Sequence, residues 1–283
     1  MAEISKVGVV GSGIMGSGLA EVAARAGYDV VVRSRTQEGA EAVLQKVGDG
    51  LARHVAKERM TAEEREAILA RISVTDHLGR LAECDLVIES VVEDLAVKRE
   101  LFAELEQIVK PDAILATNTS TLPVVEMAIA TQRPDKVCGI HFFNPAPAMQ
   151  LVEVIKPITA GDDTIKSALA FATQCGKDPV QVEDRAGFVV NALLFPYLNN
   201  AVRMLEMGTA SMDDIDTAMM GGCNFPMGPF ALLDLVGLDT SLSILDALYE
   251  EFRDPNYAAV PTLRRMVSAG HLGRKSGQGF RSY

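Results

Sequence analysis

Four polar residues mark the middle of this 283-residue chain, because each ends, interrupts or follows an apolar run. His141 lies at the end of Val137–Phe142, and Glu153 lies between Val152 and Val154 in LVEVIK. Ser120 follows Ile114–Thr117 in ATNTSTLPV, and Asn191 stands among apolar residues in DRAGFVVNALL. An imidazole is suited to moving a proton near neutral pH. A carboxylate on its other nitrogen fixes the tautomer and stabilises the imidazolium. Glu153, a charge inside a strand-like run, needs such a partner. The couple suits an alcohol that loses a proton as hydride leaves, with Ser120 and Asn191 hydrogen-bonding the reacting oxygen. Each residue also has an ordinary reading: a satisfied core histidine, an edge-strand glutamate, a turn serine, a helix-capping asparagine. Taken singly, none decides the matter.

The elements that must position them alternate. Lys6–Val10, Asp29–Val32, Leu86–Glu89, Ile114–Thr117 and Val137–Phe142 are strand-length and rich in Val and Ile. Helical spacing separates them, as in Val43, Val47, Leu51 and Val55, or Leu101, Leu105 and Ile108. Thr61-x-x-Glu64 is a capping box. Such alternation implies a parallel sheet covered by helices, with ligands at the rim where strands end. Leu151–Ile155 and Pro179–Val182 extend the sheet. Beyond Asp184 the pattern turns helical: Gly187–Met207 reads as one long helix, Ser211-x-x-Asp214 caps another, and Leu232–Val236 and Leu242–Phe252 suggest two more. The expectation is a doubly wound, Rossmann-type α/β dinucleotide-binding domain over residues 1–184. A smaller all-α domain for substrate and dimerisation follows over 185–283.

The first apolar run leads into Gly11-x-Gly13-x-x-Gly16 and then a helix. Gly11 allows the tight turn, Gly13 lets backbone approach a pyrophosphate, and Gly16 lets helix and strand pack closely. The helix N-terminus, with Ile14 and Met15 in its first turn, offers N–H groups to phosphate. A dinucleotide site of this type usually carries an acid after the second strand, for the adenosine ribose. Here Arg33-Ser34-Arg35 stands instead. A serine hydroxyl and two guanidinium groups suit a 2′-phosphate, so NADP(H) is the inferred coenzyme. A solvated charged loop, or one arginine stacking on adenine with NAD(H) bound, is the alternative.

ATNTSTLPV, HFFNPAPAMQLVEVI and DRAGFVVNALL, in this order and with the glycine loop, resemble the L-3-hydroxyacyl-CoA dehydrogenase family. Within it the chain is most similar to bacterial stand-alone 3-hydroxybutyryl-CoA dehydrogenases. The resemblance runs from Lys6 to GRKSGQGF. It implies that His141 is the catalytic base and Glu153 its partner, with Ser120 near substrate and nicotinamide and Asn191 holding substrate. It implies cofactor contacts at Glu93, Lys98, Asn118, Asn144 and Lys275; the plain alternative for both lysines is a solvated side chain. The family binds CoA phosphates near the helix bearing Lys46, Arg53 and Lys57, so Arg53 and Lys57 are candidate contacts, against a simple solvated face. The departure after the second strand bears on NAD preference and leaves the catalytic set intact. No metal is implied. The family dimerises through its second domain, so a twofold homodimer is expected.

Net charge is −11, which argues against nucleic acid as a partner while allowing a local cationic site for an anionic thioester. Cys84, Cys138, Cys175 and Cys223 are far apart and read as small core residues of a cytosolic chain. No apolar stretch reaches membrane-spanning length, and the first one already serves the glycine loop, so no removable leader is expected. The activity expected is interconversion of a 3-oxoacyl-CoA, acetoacetyl-CoA first, and its (S)-3-hydroxy form. Oxidation of a free hydroxy or sugar acid of the L-gulonate type, an acyl-carrier-protein thioester, and a non-catalytic dinucleotide-binding or structural protein are the rivals.

Overall fold

A computed structural model describes residues 4–283. The chain divides into two compact units between Asp184 and Arg185. The first runs β1 (Lys6–Val10), α1 (Ile14–Arg25), β2 (Asp29–Arg33), α2 (Gln37–Ala56), α3 (Ala62–Ala70), β3 (Ile72–Thr75), β4 (Leu86–Glu89), α4 (Leu95–Ile108), β5 (Ile114–Thr117), α5 (Val124–Ala128), β6 (Val137–Phe142), β7 (Leu151–Lys156), α6 (Asp162–Gln174) and β8 (Asp178–Glu183). The eight strands form one sheet in the order β3-β2-β1-β4-β5-β6-β7-β8. This is the expected doubly wound α/β architecture. Apolar strand residues such as Val9, Val32 and Ile88 pack under α1 and α2 through Leu19, Val43 and Leu51, all buried. Thr61 and Glu64 form the expected capping box at α3, each accepting the other's backbone N–H.

Two features of the sheet lie outside the sequence reading. β3 is an edge strand beside β2, short and only partly buried, with little apolar signal to announce it. The second is a reversal: β6 and β7 pair antiparallel, while every other neighbouring pair is parallel. The link of residues 143–150 is too short for a parallel crossover, so the chain must turn back. Buried Lys177 fastens that link, its Nζ donating to the carbonyls of Ala146 and Met149, each at 2.8 Å. Burial pushes this ammonium's pKa down.

The second unit is all helical: α7 (Val190–Glu206), α8 (Met212–Cys223), α9 (Pro229–Val236), α10 (Leu238–Phe252) and α11 (Pro261–Ser268). α7 starts later than the sequence suggests, because Gly187 and Phe188 adopt left-handed φ values of +71° and +48°. Phe195, Leu198, Phe230, Leu245 and Leu263 form this unit's own core. Ser211 caps α8 by accepting from Asp214 N. Asp234, itself buried, accepts from Phe280 N and Arg281 N and so anchors the C-terminal residues. No described helix is long and apolar enough to cross a membrane. None of the four cysteines is bridged to another; Cys84 and Cys138 are core residues, whereas Cys223 is exposed at the end of α8, contrary to the sequence expectation.

Candidate active site

The carboxyl ends of β1, β2 and β4 enclose a groove of about 550 Å³, lined by the glycine loop, Arg33–Arg35, Leu78, Ser90–Val92 and one face of α4. Gly11 has φ +127°, and a Cβ there would fall 2.1 Å from Ser90 O, so only glycine makes the turn. Above Gly13 the space is open: a Cβ would meet nothing within 4 Å. α1 begins there without a side-chain cap and without an acidic residue in its first turn. An uncapped helix N-terminus beneath open space fits a pyrophosphate. Ile14, next along, is exposed.

Arg33 is the last residue of β2, one position further into the strand than the apolar run suggests, paired with Val10 and Thr75. Its Nε donates to Asp76 O at 3.3 Å. Ser34 is buried, and its hydroxyl shares a hydrogen bond of 2.8 Å with Ser12 of the glycine loop. Arg35 is exposed and lines the same groove. The structure therefore brings the glycine loop and the Arg33-Ser34-Arg35 run together around one opening.

Further along the same carboxyl edge, the antiparallel register sets His141 directly opposite Glu153. Opposed residues of an antiparallel pair point to the same face. His141 Nδ1 and Glu153 Oε2 are 2.8 Å apart, and both residues are almost fully buried. A carboxylate there accepts, so Nδ1 carries the hydrogen. Nε2 then presents its lone pair, and the Ser120 hydroxyl donates to it at 3.0 Å. The Phe143 ring packs against the imidazole at 4.6 Å between centroids. A chain Ser120–His141–Glu153 results, each link at hydrogen-bond distance, with the imidazole held in one tautomer.

The remaining candidates fall in several places. Asn118 is buried, its Oδ1 accepting from Phe142 N at 2.8 Å, which ties the end of β5 to the end of β6. Asn144 is exposed in the turn after β6. Glu93 Oε1 accepts from Ser120 N at 3.0 Å and from Thr119 Oγ1, at the turn bearing Ser120. Burial alone would raise the Glu93 carboxyl pKa, but the Lys98 charge and these hydrogen bonds outweigh it and hold it below the usual range. Lys98 is no solvated lysine: it is 1% exposed, and its Nζ lies 2.7 Å from Glu89 Oε1 and 3.1 Å from Glu93 Oε2. Glu89 escaped the sequence reading, although an acid closing the apolar run DLVIE was a usable signal. Lys46 and Arg53 are exposed on α2, and exposed Lys57 caps its C-terminal end rather than lying on its face. In the second unit, Asn191 is buried on the first turn of α7, and Lys275 is paired with Asp239 at 2.6 Å. Among the described residues no cluster of His, Cys, Asp and Glu could hold a metal ion.

A glycine-loop βαβ unit and an imidazole–carboxylate couple on one carboxyl edge define a nicotinamide-dependent oxidoreductase. Comparison with known proteins narrows the class. Residues 6–185 match the 3-hydroxyacyl-CoA dehydrogenase NAD binding domain, and residues 187–283 match the C-terminal domain of the same family. The chain is 48% identical over 282 residues to a 3-hydroxybutyryl-CoA dehydrogenase of Mycobacterium tuberculosis, covering 99% of each chain. The crystal structure of M. tuberculosis FadB2 superposes with a TM-score of 0.97 at 48% identity, covering 100% of both chains. That of an (S)-3-hydroxybutyryl-CoA dehydrogenase from Ralstonia eutropha gives 0.97 at 40% identity, covering 99% of both. The chain belongs to the 3-hydroxyacyl-CoA dehydrogenase family and is closely related to its bacterial 3-hydroxybutyryl-CoA members. It is an NAD(P)-dependent oxidoreductase acting on 3-hydroxyacyl-CoA and 3-oxoacyl-CoA substrates.

Proposed function

We propose that the protein interconverts acetoacetyl-CoA and (S)-3-hydroxybutyryl-CoA, with NADP(H) preferred to NAD(H). The observation that carries the catalytic half is the Ser120–His141–Glu153 chain, with its two hydrogen bonds of 3.0 and 2.8 Å. When bound, the nicotinamide supplies or accepts the hydride at C3. His141 moves the matching proton at Nε2, delivering it to the 3-oxo oxygen in reduction and taking it from the hydroxyl in oxidation. Glu153, on the opposite ring nitrogen, stabilises the imidazolium. Ser120 orients the reacting oxygen beside Nε2. Asn191 is assigned the same oxygen on family resemblance, as Glu93, Lys98, Asn118, Asn144 and Lys275 are assigned cofactor contacts. Exposed Arg53 and Lys57 on and beside α2 are the candidate contacts for CoA phosphates.

The NADP(H) half is supported by the groove. Two guanidinium groups and a hydroxyl line it where a ribose-binding carboxylate would repel a 2′-phosphate. Preference for the phosphorylated coenzyme favours the reductive direction. Exposed Leu193, Met204 and Met207 on and just beyond α7 support a twofold homodimer through the second unit, which light scattering measures. The deciding experiment compares initial rates with NADPH and NADH, using acetoacetyl-CoA and a longer 3-oxoacyl-CoA. Rates with NADH above those with NADPH overturn the coenzyme assignment, as does an Arg33→Asp chain that binds NADPH as well as before. Faster turnover of the longer thioester overturns the substrate assignment.

A further inference from the structure

The groove and the His141 couple are joined by a polar chain whose buried root, Glu89, the proposed mechanism leaves unused. At its root is Glu89, the last residue of β4, with no exposed surface. One carboxylate oxygen accepts from Val91 N, in the groove wall, at 2.6 Å. The other accepts from Thr117 Oγ1 at 2.7 Å, and Lys98 Nζ donates to both, at 2.7 and 2.9 Å. Lys98 reaches on to Glu93 Oε2 at 3.1 Å. Glu93 Oε1 then gathers Thr119 Oγ1, Ser120 N at 3.0 Å, Thr121 Oγ1 at 3.1 Å and Thr121 N at 3.3 Å.

The order of these contacts has a physical logic. Glu93's side chain is 40% exposed, and an exposed glutamate holds no fixed position by itself. Lys98 fixes it from beneath, but an ammonium taken out of water needs a compensating charge. Glu89 is that charge, and it is saturated by donors from β5 and from the groove wall. The whole set fixes one turn, the turn whose serine faces Nε2 of His141.

We infer that Glu89, acting through Lys98 and Glu93, is a positioning residue that holds the Ser120 turn in place against His141. The inference rests on the roles proposed above for Ser120 and His141. Glu89 touches neither substrate nor the imidazole, so its effect must travel through Ser120. Replacing it by glutamine keeps the shape and the acceptor for Val91 N, and removes the charge that compensates Lys98.

The test is a double-mutant cycle between Glu89→Gln and Ser120→Ala, read by steady-state kinetics with acetoacetyl-CoA and NADPH. In the native background, Glu89→Gln lowers kcat roughly 10- to 100-fold, the scale of a displaced reacting group, and changes KM for acetoacetyl-CoA less than about threefold. In the Ser120→Ala background the same substitution lowers kcat less than about threefold. Equal losses in both backgrounds, or no loss in kcat, overturn the relay while leaving the Ser120 assignment standing. A Ser120→Ala chain with native kcat overturns that assignment, and the relay with it. Thermal unfolding checks that each chain is folded. If Glu89→Gln does not fold, Thr117→Val, which removes one donor to Glu89, runs through the same cycle with the same criteria.

Discussion

The two ends of the sheet's carboxyl edge are built in opposite ways. At the groove, Arg33, Ser34 and Arg35 are consecutive residues at the end of one strand, and Arg35 is exposed. The proposed 2′-phosphate site follows from which side chains they are. At the other end, Ser120, His141 and Glu153 come from three separate places, and their relation depends on the pairing of β6 with β7. At the first end, exchange of residue type should change coenzyme preference and leave the fold in place. The second rests on geometry: each group is held by its neighbours in the chain, and loss of one strands the next in a dry environment.

The sharpest break is at His141. His141→Ala should lower kcat about 10³-fold, the scale of general acid–base catalysis, with NADPH binding by fluorescence unchanged. Turnover at the native rate would remove His141 from the mechanism. Glu153→Gln comes next. It keeps the strand pair but removes the charge that stabilises the imidazolium, and kcat should fall about 10²-fold. A loss confined to KM would mean that Glu153 only packs.

At the groove the effect is smaller and of another kind. Ser34→Asp places a carboxylate beside Ser12, and the ratio of kcat/KM for NADPH over NADH should fall about 10- to 100-fold, the value of one charge-assisted hydrogen bond. An unchanged ratio would show that residue 34 does not face the 2′ position. The smallest effect lies at the opposite edge of the sheet, where Asp85, just before β4, ties Lys110 to the residues leading into β1. Burial would raise its pKa, but Lys110 and the N–H groups of Ser5 and Lys6 outweigh burial and hold it at about 2, against an ordinary 3.8. A depressed carboxyl contributes its full stability above the ordinary value and loses it as pH falls toward the folded value. Native protein should therefore lose stability between about pH 4 and pH 2 more steeply than Asp85→Asn, with kcat at neutral pH the same. Parallel acid-unfolding curves would show that Asp85 has no such role.

Much of this was legible in the residues. The doubly wound sheet follows from short Val- and Ile-rich runs between amphipathic ones, and the α3 and α8 caps from Thr61-x-x-Glu64 and Ser211-x-x-Asp214. The glycine loop announces itself because φ and steric space at Gly11 admit nothing else. β3 was illegible because an edge strand of four partly buried residues carries too little periodicity. Lys98 was ambiguous because its burial depends on Glu89 and Thr117, which are remote from it along the chain or on other strands.

By itself, then, the sequence determined the class of each unit, the glycine loop, and the identity of a histidine, a glutamate and a serine near strand ends. Those are local properties, set by side-chain volume, polarity and backbone freedom over a few neighbours. Tertiary structure alone decided the register that sets Glu153 directly opposite His141, and that a buried lysine links the groove wall to the serine turn. Such relations are matters of register and burial. They exist only once distant segments exclude water together, and a hydrogen bond of 2.8 Å between an imidazole and a carboxylate then becomes a fixed part of the site.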